Sequence, residues 1–355
     1  MQKRIFLSSD PGIDDMAAIL FVLAHSGIEL VGISAVAGNV SMQTALENAR
    51  FTCALAAPSS AIPCYAGSRG PLLREQIFGA HKALGSFRYH LGDLETSLPL
   101  VKPSVNATTS SDPSMGGAVA MAHAIRNAAA SHMPITIVAT GPMTDVALAM
   151  QLAGNSNCQQ GIKTIVAMGG AFKALGNRAL YAEMNMLSDP HAAHMVCESG
   201  VPLVFFPLDV TWQCRLTHND LDTIETEAGL IGQIFARLFR ASDREIPALY
   251  GGPGGPVHDL LPVVWLVAPE LFTLRRAQVF VATGHELAGH TSRQLSKSGG
   301  SDTKSYKLPH RIAESVESNA VRALFLDHLQ SFAQRANGTN YTDYQIITNR
   351  EEDLQ

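Results

Sequence analysis

An α/β fold with a mostly parallel central sheet flanked by helices is what this sequence predicts. Three observations point to it. Short apolar runs recur at 5–7, 29–36, 134–140, 163–170 and 203–208, the size of buried strands, with helical patterns between several of them. Most of these runs exit into Gly, Pro, Asn or Asp, and polar residues gather just past the exits, where open parallel sheets bind ligands. The chain has 355 residues, 46% hydrophobic and 16% charged, enough for a sizeable core.

No internal repeat or domain boundary is visible, so residues 1–336 read as one domain and 337–355 as a polar tail. Net charge is −5 and the pI about 6.2, without a Lys/Arg run, which argues against a nucleic-acid partner. No apolar run approaches the roughly 20 residues of a membrane span, and the N-terminal run is too short and interrupted for a signal peptide. The five cysteines show no metal spacing and read as buried thiols of a reducing compartment, so a cytoplasmic protein is expected.

The most informative stretch is 4–24, RIFLSSDPGIDDMAAILFVLA. A strand at Ile5, Phe6 and Leu7 gives way to a buried helix over 16–24. Between them stand Asp10, Asp14 and Asp15, three carboxylates within six residues. Helix capping accounts for one or two of them: Asp10 suits an N-cap, Pro11 a first helical position, and acids in the first turn complement the helix dipole. Three anions this close repel and are costly to desolvate, and a hard divalent cation, calcium or magnesium, would relieve both penalties.

The second strand, 29–36, ends at Gly38-Asn39, a turn or a ligand contact, and a helix follows over 41–57. Residues 86–114 are rich in Ser, Thr and Pro and read as a long loop, either a lid or a surface insertion. A helix is expected over 115–130. The strand PITIVAT (134–140) ends in Thr140-Gly141-Pro142, with a helix through Met150. After KTIVAMGG (163–170) comes an irregular segment carrying Asn177, Glu183 and Asn185, groups able to meet vicinal hydroxyls. Ser188-Asp189-Pro190 reads as a helix start, running to Cys197. LVFFPL (203–208) is the last expected strand of the sheet. Residues 217–241 are mainly helical. A Gly/Pro-rich loop then leads to His258-Asp259 and the apolar helix 260–267. Strands of an accessory sheet are expected within 277–292, a flexible loop at 296–305, and a final helix over 317–336.

The string DPGIDD after a short strand, followed in order by GN at 38–39, ATGP at 139–142, AEMN at 182–185 and HD at 258–259, resembles the inosine–uridine-preferring nucleoside hydrolases. The resemblance covers most of 4–275. It departs at Ser8, where the family usually has a further Asp, at Phe78-Gly79, where a His-Gly pair is usual, and at Met184, often an aromatic. His81 is displaced from the family position and reads as an ordinary loop histidine.

The resemblance implies a Rossmann-like nucleoside hydrolase fold and calcium-dependent hydrolysis of the N-glycosidic bond of ribonucleosides. It implies that Asp10, Asp15, Asp259 and the Thr140 carbonyl hold Ca2+. Asp10 would also take a proton from the attacking water. Asp14, Asn39, Asn177, Glu183 and Asn185 would grip the ribose, His258 would protonate the departing base or stabilise it by a hydrogen bond, and Tyr250 would lie over it. A homodimer or homotetramer is implied as well. Two other readings use the same residues. One is a non-catalytic nucleoside- or sugar-binding module. The other is a different metal-dependent hydrolase, such as a phosphohydrolase, against which stand the missing GKS/T loop and the scarcity of Arg and Lys.

Overall fold

The computed structural model describes residues 2–56, 62–79, 82, 84–97, 115–245, 254–295 and 310–338. The strands are β1 (Lys3–Ser9), β2 (Ile28–Ala35), β3 (Cys64–Ala66), β4 (Ile135–Ala139), β5 (Ile162–Met168), β6 (Leu203–Phe206), β7 (Arg215–Leu216), β8 (Gly255–Pro256), β9 (Phe272–Val281), β10 (Thr291–Leu295) and β11 (His310–Val316). The α-helices are α1 (Ile13–Ala24), α2 (Met42–Ala56), α3 (Gly117–Ala130), α4 (Thr144–Ala153), α5 (Asn155–Gly161), α6 (Met184–Ser188), α7 (Pro190–Cys197), α8 (Leu208–Thr211), α9 (His218–Glu227), α10 (Gly229–Glu245), α11 (Leu260–Val267) and α12 (Ser318–Gly338). No helix among the described residues is long and apolar enough to cross a membrane.

Among the described residues, nine strands form one sheet in the order β10-β9-β11-β6-β5-β4-β1-β2-β3. Every pairing from β11 to β3 is parallel. From β1, the chain builds outward to β2 and β3 on one side and, later, to β4, β5 and β6 on the other. The boundary between β1 and β4 is therefore the topological switch point, and the crevice at its carboxyl end is where such sheets take ligands. The register sets Ser8 opposite Ala139, and the Thr140 amide donates to the Ser8 carbonyl at 2.9 Å, so Asp10 and Thr140 leave the sheet side by side.

Both faces of the sheet are covered, as a parallel sheet requires. One apolar cluster joins α1, α10, α11 and α12 to alternate residues of β1, including Ile5 and Leu7. The other joins α3, α4 and α7 to Phe6 and the opposite residues of β4 and β5. Helix α1 is buried from Ile13 through Val22, which is why its sequence is apolar all round. It packs against the equally apolar α11. Each fully buried Phe or Leu contributes about 1.5–3 kcal/mol, and this packing fixes the chain ends that carry the carboxylates.

Several sequence expectations are corrected. LVFFPL is not the last strand of the sheet, because β11 pairs with β6, and β9 and β10 continue it antiparallel. The accessory sheet expected within 277–292 is thus the antiparallel edge of the same sheet. β3 and β11 had no strand signal: β3 has only three residues and β11 carries His310, Arg311 and Glu314. The helical stretch 217–241 is two helices, α9 and α10, broken at Gly229, whose φ of +59° favours glycine. Asp10 is not the cap of α1. Gly12 is, and Asp15 reaches back to accept its amide at 3.0 Å. Within 86–114, short 3-10 turns span Phe87–His90 and Gly92–Ser97, and 98–114 lies outside the described residues. His81, Tyr250, the 296–305 loop and 339–355 lie there too.

His310 shows how burial becomes pH dependence. Its ring is fully buried on β11, accepts the Leu203 amide at Nδ1 (3.3 Å) and meets the Phe205 ring edge-on. Burial lowers its pKa to about 4. An unfolded histidine titrates near 6.5, so the folded state resists a proton that the unfolded state accepts. Stability present above about pH 6.5 is lost as the pH falls toward 4, by up to about 3 kcal/mol. Urea midpoints at pH 7.5 and 5 should therefore differ less in His310→Leu than in the parent chain. An equal acid-side loss in both would show that His310 does not contribute it.

Candidate active site

The carboxylates assemble from three elements. Asp10 follows β1, Asp14 and Asp15 occupy the first turn of α1, and Asp259 precedes α11. All four are buried. Asp14, Asp15 and Asp259 each bring one carboxylate oxygen within 4.8 Å of the others. That set includes Asp14, which the resemblance gives to ribose, and does not include Asp10.

Asp15 is the best satisfied of the four. Its Oδ1 accepts from the hydroxyls of Ser9 (2.6 Å) and Thr140 (2.7 Å), and its Oδ2 from the Gly12 amide. Asp10 Oδ2 accepts the Asn39 amide at 2.5 Å, while its Oδ1 is buried with no hydrogen-bond partner among the described residues. Asp259 faces the Asp14 carboxylate, with oxygens within 4.8 Å, and its Oδ1 also lacks a partner. Burial, and then neighbouring carboxylates, push Asp10 and Asp259 well above the usual carboxylate range. Asp15 is raised for the same reasons, with the hydroxyls opposing. These residues fit a divalent cation, because it would offset the crowded carboxylates and take the bare oxygens as ligands.

Two glycines make this packing possible. A Cβ on Gly38 would lie 2.0 Å from Asp10 Oδ2, and one on Gly141 would lie 2.7 Å from Asp10 Oδ1. The glycines of GN and ATGP thus admit the Asp10 carboxylate between two strand exits, a role their motifs did not disclose.

Around the carboxylates opens a cavity of about 430 Å³. Its walls include Asp14, Asn39, Thr140, Asn177, Glu183, Asn185, His258 and Asp259. Asp10 and Asp15 are buried behind it and do not line it. The segment 171–183 is shaped by side-chain capping. Glu183 caps α6, accepting the amides of Asn185 (2.8 Å), Met186 (3.1 Å) and, from the β5 exit, Gly170 (3.1 Å). Burial raises its pKa to about 7, against the four backbone amides of Gly170, Met184, Asn185 and Met186 that favour its charged form. Asn177 Oδ1 accepts the Met184 amide at 2.9 Å. Asn185 Nδ2 donates to the carbonyls of Thr140 (2.7 Å) and Met168 (3.2 Å).

His258 is buried, with Nδ1 2.7 Å from the Thr211 hydroxyl and its ring edge-on to Trp212 at 4.9 Å. Thr211 and Trp212, at the end of α8, were missed by sequence reasoning. The signal was available, since they follow β6 at the same carboxyl edge as the other site residues. Phe78, Gly79 and Lys82, from the stretch that matches the family least, line the cavity beside Met184 and Trp212. The Gly79 amide donates to the Gly38 carbonyl at 3.0 Å, which holds this wall against Asn39.

Comparison with known proteins agrees with this architecture. The profile of the family described as inosine-uridine preferring nucleoside hydrolase matches residues 5–323. An uncharacterized protein of Schizosaccharomyces pombe is 36% identical over 284 residues, 80% of this chain and 86% of that one. The pyrimidine-specific ribonucleoside hydrolase RihB of Escherichia coli is 34% identical over 271 residues, 76% of this chain and 80% of that one. Among solved structures, a plant nucleoside hydrolase superposes with a TM-score of 0.76 at 24% identity, covering 93% of this chain and 99% of that one. A purine-preferring ribonucleoside hydrolase from Gardnerella vaginalis gives 0.74 at 25% identity, covering 94% and 100%. With a buried carboxylate cluster at the switch point of this sheet and a family match across nearly its whole length, the chain belongs to the inosine-uridine preferring nucleoside hydrolases, enzymes that hydrolyse N-glycosidic bonds.

Proposed function

We propose that this nucleoside hydrolase depends on calcium and divides its chemistry between Asp10 and His258. The observation that carries the reading is the buried set Asp14, Asp15 and Asp259, whose oxygens approach within 4.8 Å beside the cavity. In this reading Asp10, Asp15, Asp259 and the Thr140 carbonyl hold the ion, which leaves Asp14 to meet the ribose. When bound, calcium supplies the positive charge that offsets the clustered carboxylates and lowers the pKa of a neighbouring water.

The chain's own groups do the rest. Asp10 takes the proton of the attacking water at Oδ1, its Oδ2 being held by the Asn39 amide. Asp14, Asn39, Asn177, Glu183 and Asn185 grip the ribose hydroxyls and favour a distorted ring, on the way to an oxocarbenium-like transition state. His258, oriented through Nδ1 by Thr211, carries the proton for the departing base at Nε2. Water attacks the face of the sugar opposite the base, so the anomeric centre inverts. A homodimer or homotetramer and a cytoplasmic location accompany this reading, the first testable by sedimentation velocity.

The relatives described above differ in base, one pyrimidine-specific and one purine-preferring. Reducing-sugar release is therefore measured with uridine, cytidine, inosine and adenosine. Release should vanish on chelation and return with calcium. Release that survives chelation of a metal-free preparation would sink the calcium assignment. Asp10→Ala should lower turnover by at least about 10²-fold with the fold intact by circular dichroism. A near-parental rate in that folded, calcium-loaded variant would remove Asp10 from the role of base. His258→Ala should slow natural nucleosides far more than ribosides with an activated leaving group, and uniform losses would argue against it as the acid.

A further inference from the structure

We propose that Cys53 and Cys64 form a reversible disulfide that staples strand β3 to helix α2 under oxidising conditions. Cys53 lies on the buried face of α2, Cys64 lies in β3, and their Sγ atoms are 3.9 Å apart. That is a contact, not a bond, since a disulfide needs about 2.0 Å between sulfurs. Closing the gap calls for a small approach of two elements already in contact. β3 can make it because it is the outermost strand of its edge, hydrogen-bonded within the sheet to β2 alone. The remaining cysteines, Cys158, Cys197 and Cys214, are all buried.

The two thiols have different roles. Cys64 is only half-buried and can meet a small-molecule disulfide such as oxidised glutathione. Cys53 is buried, and its contact with Cys64 together with that burial pushes its pKa up. The Cys64 thiolate attacks the small disulfide, displaces one thiolate and forms a mixed disulfide. Cys53 then loses its proton, and its sulfur attacks that of Cys64, displacing the second thiolate. Two protein thiols lose two electrons and two protons, and one small disulfide becomes two thiols.

The staple would sit on a strand that anchors the site. Ser68, just past β3, accepts the Ala37 amide at 3.0 Å and gives its own amide to Asp145 at 3.0 Å. Ala37 leads directly into Gly38-Asn39.

The test uses the full folded chain, incubated with oxidised glutathione, then unfolded and alkylated. No Lys or Arg lies between Phe51 and Arg69, so trypsin releases both cysteines in one peptide. That peptide should appear unalkylated and lighter by two hydrogen atoms than its reduced form, and dithiothreitol should reverse the change. The peptides holding Cys158, Cys197 and Cys214 should remain alkylated. Cys53→Ala should stop at a stable glutathione adduct on Cys64. Recovery of the parent peptide doubly alkylated, stably glutathionylated, or joined to a second chain would overturn the proposal, and that result needs no variant to fold.

Discussion

Mutual repulsion among buried carboxylates governs the carboxyl edge of this sheet. Two unit charges 4.8 Å apart at an effective dielectric near 20 repel by roughly 3.5 kcal/mol, and three such groups give three pairs. Hydrogen bonds to charged groups return about 1.5–3 kcal/mol each. The donors are unequally shared: Asp15 has two hydroxyls and an amide, whereas Asp10 and Asp259 each keep a bare buried oxygen. Protonation relieves this without an ion, and a divalent cation relieves it with one. The arrangement is suited to exchange one for the other.

What prevents the carboxylates from simply moving apart is the packing behind them. Asp14 and Asp15 begin a helix buried for ten consecutive residues from Ile13, so neither can swing to solvent without unseating α1. Asp259 is fixed by α11, which packs on α1 from the other side of the crevice. Asp10 is enclosed by the backbone at Gly38 and Gly141. The apolar core thus stabilises the fold and, through the same contacts, holds an unfavourable charge arrangement in place.

The parts of this molecule that obey strong local rules could be read from its sequence. The apolar runs of β1, β2, β4, β5 and β6, the buried helices α1 and α11, and the polar residues at strand exits all signal through hydrophobicity or punctuation. β3 and β11 do not, because their place comes from neighbours already in the sheet rather than from their own short or charged sequences. The antiparallel edge escaped for a related reason: strand direction depends on how the chain returns, which periodicity does not encode. At the site, residue types and order pointed to Asp10, Asp14, Asp15 and Asp259 together. The pairings inside the cluster were not legible, since the approach of Asp259 to Asp14 and the clamp on Asp10 arise between segments far apart in sequence. Thr211 and Trp212 carried no motif, and their one signal was position just past the β6 exit; His258 resting on them gives them their place in the site.

The cavity wall built from Phe78, Gly79 and Lys82 stands apart from the machinery it faces. Its described backbone tie to the wall at Asn39 is the single hydrogen bond from Gly79 to Gly38, whereas the carboxylates are locked into the sheet edge and two buried helices. Substitutions at Phe78 and Lys82 can therefore accumulate without disturbing the charge balance at the floor, whereas a Cβ on Gly79 would lie 2.4 Å from Asn39 Oδ1. Where the base sits against this wall, as the proposed reading has it, base accommodation can change while the carboxylate floor does not. Laboratory evolution of base preference would do well to start at Phe78 and Lys82.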